Sequence, residues 1–393
     1  MDFSAICLEI ATKLHNAKIE KGHIPKDLYQ ATATQLMDAV FTGTGKKSFQ
    51  YGDRNNLLLA HLQNNIYSFS AAKSLTEMKL FNELLIDKDG NPKSKAQFRN
   101  DVAATGAVFN KNYLATEQAN ALACADAAVT WNQYNDDDWL QISTVGDDRV
   151  RPEHARLDKF TAKKSDPVWL RLWFPFDWGC RCVVIPGSEK NQTKDFKTSQ
   201  MLTDAKIPEQ FQRNTGIDKV VFDEEGHPYY KNSFNEQKEL RADVNYGMHS
   251  VSKIYADNIF PAAEKLESKG DANSWWADTA GSLKGHFDVA DHSGISVRFD
   301  NVFRVHVMED NKDRRFKIIT NLEDIVTDPD EVWSIKENGK LINTYIKYYE
   351  DFPYTVQTED CRAFTMYAYE HKAKLNEQSI KMDRRGILLF RKN

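Results

Sequence analysis

Three side chains in the middle of the chain are of the types that zinc favours: His154, Cys180 and Cys182. They offer one imidazole nitrogen and two thiolates, and Asp147, Asp148 or Glu153 could add a fourth ligand. The same residues also suit a locally bonded histidine and two small buried cysteines. Arg149 and Arg181 carry fixed forks of donors that match the carboxylates of Asp147, Asp148 and Asp158, which suits structural anchors. No Ser-His-Asp order and no HExxH motif accompanies them, so catalysis is not assigned to this region. The loop FTGTGKKSFQYGD (41–53) has the glycines and lysines of a phosphate cradle. It lacks the GxxxxGK[ST] spacing and no apolar strand leads into it, so it reads as a surface loop.

These residues need elements to hold them. Residues 1–40 read as helical, with Asp27 or Thr32 available to start a second helix. From 67 to 134 the pattern is strongly helical, and Leu75, Met78, Phe81 and Leu85 share one face. The turn LIDKDGNPKS (85–94) interrupts it; one helix follows from about Lys95 and another, rich in alanine, from Thr116-Glu117. The aromatic stretch Trp169 to Trp178 is limited by prolines and needs a packed structure to bury it. Residues 187–240 are polar and turn-rich, with a short ordered element at VVFDEEGHPYY. Then 244–267 and 272–290 read as helices. From 295 the period moves towards two, through ISVRF, VFRVHVM, RFKII, EVWSI, LINTYIKYY, YTVQT, AFTMYAY and ILLF. Asn338-Gly339 signals a hairpin between two of them. The expected fold class is α+β and multidomain: helices in the N-terminal and central regions, then helices followed by an antiparallel sheet. The expected division is 1–66, 67–190, 191–244 and 245–393.

The chain has 393 residues and a formal net charge of -5, with 41% hydrophobic and 28% charged residues. That supports real cores and excludes a disordered chain. It gives no whole-chain sign of nucleic-acid binding. The first residues lack the pattern of a signal peptide, no apolar run is long enough to span a membrane, and the five scattered cysteines do not form a disulfide framework.

The segment ISTVGDDRVRPEHARLDKFTAKKSDPVWLRLWFPFDWGCRCVVI (142–185) resembles the phage head-morphogenesis family typified by protein F of phage Mu. The resemblance rests on Thr144, Gly146 to Arg151, the Glu153-His154-x-x-Leu157-Asp158 element, the Pro-rich tract and Trp178-Gly179-Cys180-Arg181-Cys182. It covers roughly 67–190. It implies a minor head protein in the virion or host cytoplasm, working with portal, capsid and scaffold proteins in head assembly and DNA packaging. Many relatives carry a Cys-x-x-Cys pair where this chain has Arg151-Pro152-Glu153-His154, which weakens a four-cysteine zinc site. No cofactor is expected, with a structural zinc on His154, Cys180 and Cys182 as the alternative to a locally bonded histidine and two buried cysteines.

The C-terminal part, helices followed by a β-meander, resembles the small metal-independent ribonucleases grouped with barnase, EndoU, colicins E5 and D, and RelE-type toxins. The likeness implies RNA as substrate, a toxin-like role and an immunity protein as a further partner. Such chemistry needs a base for the 2'-hydroxyl, an acid for the leaving oxygen and cations for the phosphorane. The candidates are His292, His306, Lys347 and Thr365, with Arg304 beside His306 on one sheet face and Arg384-Arg385 before the last strand. Residues 270–393 hold 18 Lys and Arg against 21 Asp and Glu, but 371–393 hold seven basic against two acidic residues. A local strip of that kind is what RNA affinity needs. The alternative function is purely structural, with the C-terminal domain a binding module.

Overall fold

The computed structural model describes residues 2–16, 22–231, 240–309 and 315–392. The chain forms two compact units: Met1–Lys46 with Ser68–Glu236, and Lys47–Tyr67 with Gln237–Asn393. No helix among the described residues is long and apolar enough to cross a membrane.

The first unit contains α1 (Phe3–His15), α2 (Lys26–Thr44), the second half of α3 (Arg54–Glu83), α4 (Lys95–Ala107) and α5 (Leu114–Gln133). Asp2 caps α1, and a Ser94/Gln97 capping box starts α4. A π-helical turn, Val108–Tyr113, joins α4 to α5 without a break. The separate start expected at Thr116-Glu117 is therefore absent, because Tyr113 and Leu114 keep helical backbone and nothing caps a new helix there. Alanines on α5 let α2 come close. At Gly43 an added Cβ would lie 2.3 Å from the Leu122 carbonyl oxygen.

Beyond α5 come β1 (Trp139–Ser143), α6 (Pro152–Ala155), β2 (Thr161–Lys163), β3 (Val183–Pro186), α7 (Thr198–Asp204) and α8 (Thr215–Asp218). The strands pair antiparallel in the order β2-β1-β3. The core here gathers Trp169, Trp173, Phe174 and Phe176 with Leu140, Ile142 and Val184. Leu202, Ala205, Ile207 and Phe211 join it, and Phe222 stacks on Phe69 at 3.7 Å. Much of the polar, turn-rich 191–231 stretch is thus packed against core.

The second unit contains α9 (Val251–Asp257), α10 (Lys269–Ala280), β4 (Phe287–Ala290), β5 (Ser296–Phe299), α11 (Asn301–Val307), a 3-10 segment (Arg315–Asn321) and α12 (Leu322–Thr327). There follow β6 (Glu331–Glu337), β7 (Lys340–Tyr348), β8 (Pro353–Glu359), β9 (Arg362–Ala368), the small pair β10 (Glu370–His371) and β11 (Lys374–Leu375), α13 (Glu377–Asp383) and β12 (Ile387–Arg391). The seven-stranded sheet runs β12-β6-β7-β8-β9-β5-β4. The α+β expectation holds. The sheet is antiparallel except where β5 meets β9 in parallel at Arg298 and Arg362. Asn338 and Gly339, both at positive φ, turn β6 into β7.

Four local expectations need correction. VFRVHVM is not a strand but lies in α11. Asp300 caps that helix through the Val302 and Phe303 amides, and its turn buries Phe303 with Val307. That is a spacing of four rather than two. RFKII lies in the 3-10 segment. The helix expected over 272–290 stops at Gly281, which takes a left-handed cap, and β4 follows. Of 244–267, only Val251–Asp257 is helical.

Residues 47–67 complete the second unit. Phe49 bridges to Ile295, and the Asn56 side chain both donates to the Ser296 carbonyl and accepts from its amide, each at 2.8 Å. Asn64 donates to the Ser334 hydroxyl at 3.0 Å.

Candidate functional site

In the second unit, α11 and β9 bring His306 and Thr365 together. His306 Nε2 lies 3.2 Å from Thr365 Oγ1. Arg315, at the head of the 3-10 segment, places Nη1 3.1 Å from the same nitrogen and 2.7 Å from the same hydroxyl. A guanidinium has no lone pair to offer, so in this contact Nε2 is the acceptor. His306 Nε2 therefore faces a fixed positive charge. The Arg315 guanidinium also lies over the ring of Tyr367, 5.3 Å from its centroid. Tyr367 follows Thr365 by two residues on one strand, so both project from the same face. The phenols of Tyr367 and Tyr369 both donate to Asp383 on α13. Burial, then the Asp383 charge, pushes the Tyr367 hydroxyl well above the ordinary phenol range, so it keeps its proton. Arg315 and Tyr367 also line an open cavity of about 740 Å³, whose wall includes Lys265, Lys317, Tyr354 and Tyr369.

The other two candidates lie elsewhere. Lys347 pairs across the sheet with Tyr354, which pairs with Ala368. Ala368 is three residues from Thr365, so Lys347 and Thr365 project from opposite faces. Lys347 is spoken for by Asp324 at 2.7 Å and Asp328 at 2.9 Å. His292 is mostly buried: its ring lies 4.7 Å from that of Phe390, and burial lowers its pKa. Its neighbour Asp291 takes the Tyr345 hydroxyl at 2.8 Å. Arg384, flagged before the last strand, is buried and grips Glu331 with two bonds of 2.8 and 2.9 Å. Trp333 and Tyr348 bond the same carboxylate. That cluster ties α13 and β12 to β6.

In the first unit, His154 sits on α6, opened by Pro152, and Cys180 and Cys182 lead into β3. Their three ligand atoms lie within 4.8 Å of one another, with His154 Nδ1 3.8 Å from Cys180 Sγ. Hydrogen bonding, chiefly from Cys182, pulls the Cys180 thiol below its ordinary range. Arg181 clasps Asp147 through two bonds, 2.8 and 2.6 Å, as an anchor should. That clasp holds the Asp147 carboxyl at about 2. Arg149 reaches the same carboxylate only at 3.5 Å.

Residues 86–185 match the family described as phage Mu protein F like protein. Residues 277–391 match the family described as phage-Barnase-EndoU-ColicinE5/D-RelE like nuclease2. The chain is 28% identical over 133 residues to the Mu-like prophage FluMu F protein of Haemophilus influenzae, covering 34% of this chain and 31% of that one. It is 31% identical over 106 residues to the putative capsid assembly protein F of Escherichia phage Mu, covering 26% and 22% respectively. The chain thus spans less than a third of the length of either relative. No solved structure matches.

The His154, Cys180 and Cys182 cluster lies inside the Mu F-like segment, and His306, Arg315 and Thr365 lie inside the nuclease-like one. The Mu F-like segment also supplies half of a buried polar network. Lys73 pairs with Glu117 at 2.5 Å and donates to the Phe109 carbonyl, which belongs to the π-helical turn. Asn110 donates to Glu77 at 2.8 Å, and Tyr229 to Glu117 at 3.1 Å. Burial pushes the Glu77 carboxyl up to about 7. Sequence reasoning missed this network, Arg315 and Tyr367. For Tyr367 a signal existed in its i+2 spacing from Thr365.

Proposed function

We propose that this chain is a phage or prophage minor head protein whose C-terminal unit is a metal-independent endoribonuclease with toxin-like action. The observation that carries the catalytic part is the contact of His306 with Thr365 and Arg315 at the edge of an open cavity. As substrate binds, its phosphate draws the Arg315 guanidinium off His306 Nε2, and that nitrogen takes the proton of a ribose 2'-hydroxyl. The 2'-oxygen attacks phosphorus, and the bond to the 5'-oxygen breaks, leaving a 2',3'-cyclic phosphate. Arg315 holds the charge that gathers on the phosphorane, Thr365 orients the histidine and a phosphate oxygen, and Tyr367 delivers a proton to the leaving oxygen. Lys317 lines the cavity wall and offers charge to flanking phosphates, while Lys265 on the same wall is paired with Asp351 at 2.6 Å. An immunity protein with an acidic face would suit the same rim.

The head-assembly part is supported by the likeness of the central segment to relatives named for phage Mu F and capsid assembly. Portal, capsid and scaffold proteins are the partners it implies, with the virion and the host cytoplasm as locations and DNA packaging as the setting.

The test is the full-length chain incubated with RNA in EDTA. Cleavage with cyclic phosphate ends, lost in His306→Ala, supports the reading. Intact RNA with the folded chain overturns the nuclease and leaves the C-terminal unit a binding module. Absence of the chain from purified heads of the encoding phage overturns the assembly role.

A further inference from the structure

We infer that His154, Cys180 and Cys182 form a zinc site with three protein ligands and one open position, which staples α6, just after the Asp-Arg turn, to the segment leading into β3. The geometry is close to what the ion requires. A tetrahedral ion with Zn–S of ~2.3 Å and Zn–N of ~2.0 Å sets neighbouring ligand atoms ~3.6–3.8 Å apart. His154 Nδ1 and Cys180 Sγ are already 3.8 Å apart, and all three ligand atoms fit within 4.8 Å. Small rotations of the cysteine side chains close the rest.

The surroundings are built for a thiolate pair. The backbone turns at Gly179, whose φ is +67°, and the Cys180 amide bonds the Asp177 carbonyl at 3.0 Å. The amide of Cys182 then points at Cys180 Sγ from 3.4 Å. An amide donor aimed at sulfur favours the charged, ligating form. The His154 ring is buried and stands edge-on to Phe176 at 5.8 Å, which fixes its plane.

The fourth position is open. Three acidic residues of this segment are held elsewhere: Asp147 by Arg181, Glu153 by Lys206 at 2.7 Å, and Asp158 by the Thr144 amide and hydroxyl, and Asp148 is not on the wall of the cavity beside the ligands. A cavity of about 140 Å³ lies against the three ligands, with Arg149, Arg151 and Arg181 also on its wall. It has room for water, which takes ~30 Å³ per molecule. The arginines make an anionic fourth ligand equally acceptable. The site lies in the first unit, and nothing in it bears on the RNA-cleaving residues.

The experiment uses the full-length protein, purified reduced, stripped with a chelator and titrated with Co²⁺ alone. We expect one equivalent to bind with thiolate-to-metal charge-transfer bands and the intense visible bands of tetrahedral cobalt, displaced by one equivalent of Zn²⁺. Cys180→Ser and Cys182→Ser should each lose about half of the charge-transfer intensity, while Cys124→Ser, buried on α5, keeps it. Should the serine variants fail to fold, the wild-type titration alone decides. Weak, octahedral-type cobalt spectra at one equivalent overturn the site. So does a Cys180–Cys182 disulfide found by mass in protein isolated without air.

Discussion

His306 and Thr365 are 59 residues apart in sequence, yet their side chains meet at 3.2 Å with Arg315 bonded to both. The contact joins a short helix to a sheet strand, and an open cavity adjoins it. His306→Ala in the full-length chain should lower RNA cleavage by about 10²–10⁴, the usual worth of a general acid–base group. Arg315→Lys keeps the charge but not the planar guanidinium whose Nη1 meets both partners, and should lose activity as well. Single-turnover cleavage in EDTA, with circular dichroism to check the fold, measures both. Full activity in His306→Ala would remove the residue from the chemistry.

Lys347 and His292 should behave differently. Lys347→Ala removes charged hydrogen bonds to Asp324 and Asp328, at a cost of ~1–3 kcal/mol. His292→Ala opens space beside Phe390 and should cost about 2–4 kcal/mol. Below the melting temperature of each variant, the cleavage rate should stay within a few-fold of wild type. Urea melts and rates on the same samples separate the two effects.

Much of this arrangement could be read from sequence, and the parts that could not share a cause. The Asn338-Gly339 hairpin and the β6 to β9 meander declared themselves by period and turn chemistry. VFRVHVM did not, since its valines alternate like a strand while Asp300 supplies a helix cap. Capping decided the matter, and it turned the flank of His306 from a sheet face into a helix. Thr365 and His306 were legible as candidates by type. Lys347 was equally plausible by type, but strand parity sends it to the opposite face. Parity across three strands depends on register, which one sequence does not display. Arg315 follows the segment read as a strand in a run of charges, where nothing sets it apart from its neighbours.

The buried carboxyl of Glu77 gives the first unit a pH dependence. Burial raises it from the ordinary carboxylate range to about 7, and its second oxygen has no partner among the described residues. A carboxyl whose pKa is raised by folding favours the folded state fully below its unfolded value. That contribution fades as pH rises through 7. Stability should therefore fall between about pH 4.5 and 7.5, by ~3 kcal/mol at one pKa unit per ~1.4 kcal/mol. Glu77→Gln should flatten that slope. Melting temperatures across the range check it, and an unchanged slope would exclude Glu77 as its source.

The Arg384–Glu331 pair allows a double test. Both side chains are buried, and Trp333 and Tyr348 also bond the carboxylate. Arg384→Met leaves that carboxylate unpaired in the interior and should cost about 3–5 kcal/mol. Adding Glu331→Gln removes the stranded charge and should recover part of the loss. If the double variant is no better than the single one, packing rather than charge explains the cost. Equilibrium denaturation of the three proteins gives the comparison.

Residues 47–67 belong with a unit whose other residues begin at 237. Chain growth makes that division a matter of timing. At ~5–20 residues per second, a ribosome spends roughly 10–30 s making the intervening stretch. Throughout that interval Asn56 and Asn64 wait for Ser296 and Ser334. The sheet is not finished until β12 (Ile387–Arg391) has been made and adds to β6. A cut near residue 240 would release its sheet without the helix that helps to hold it.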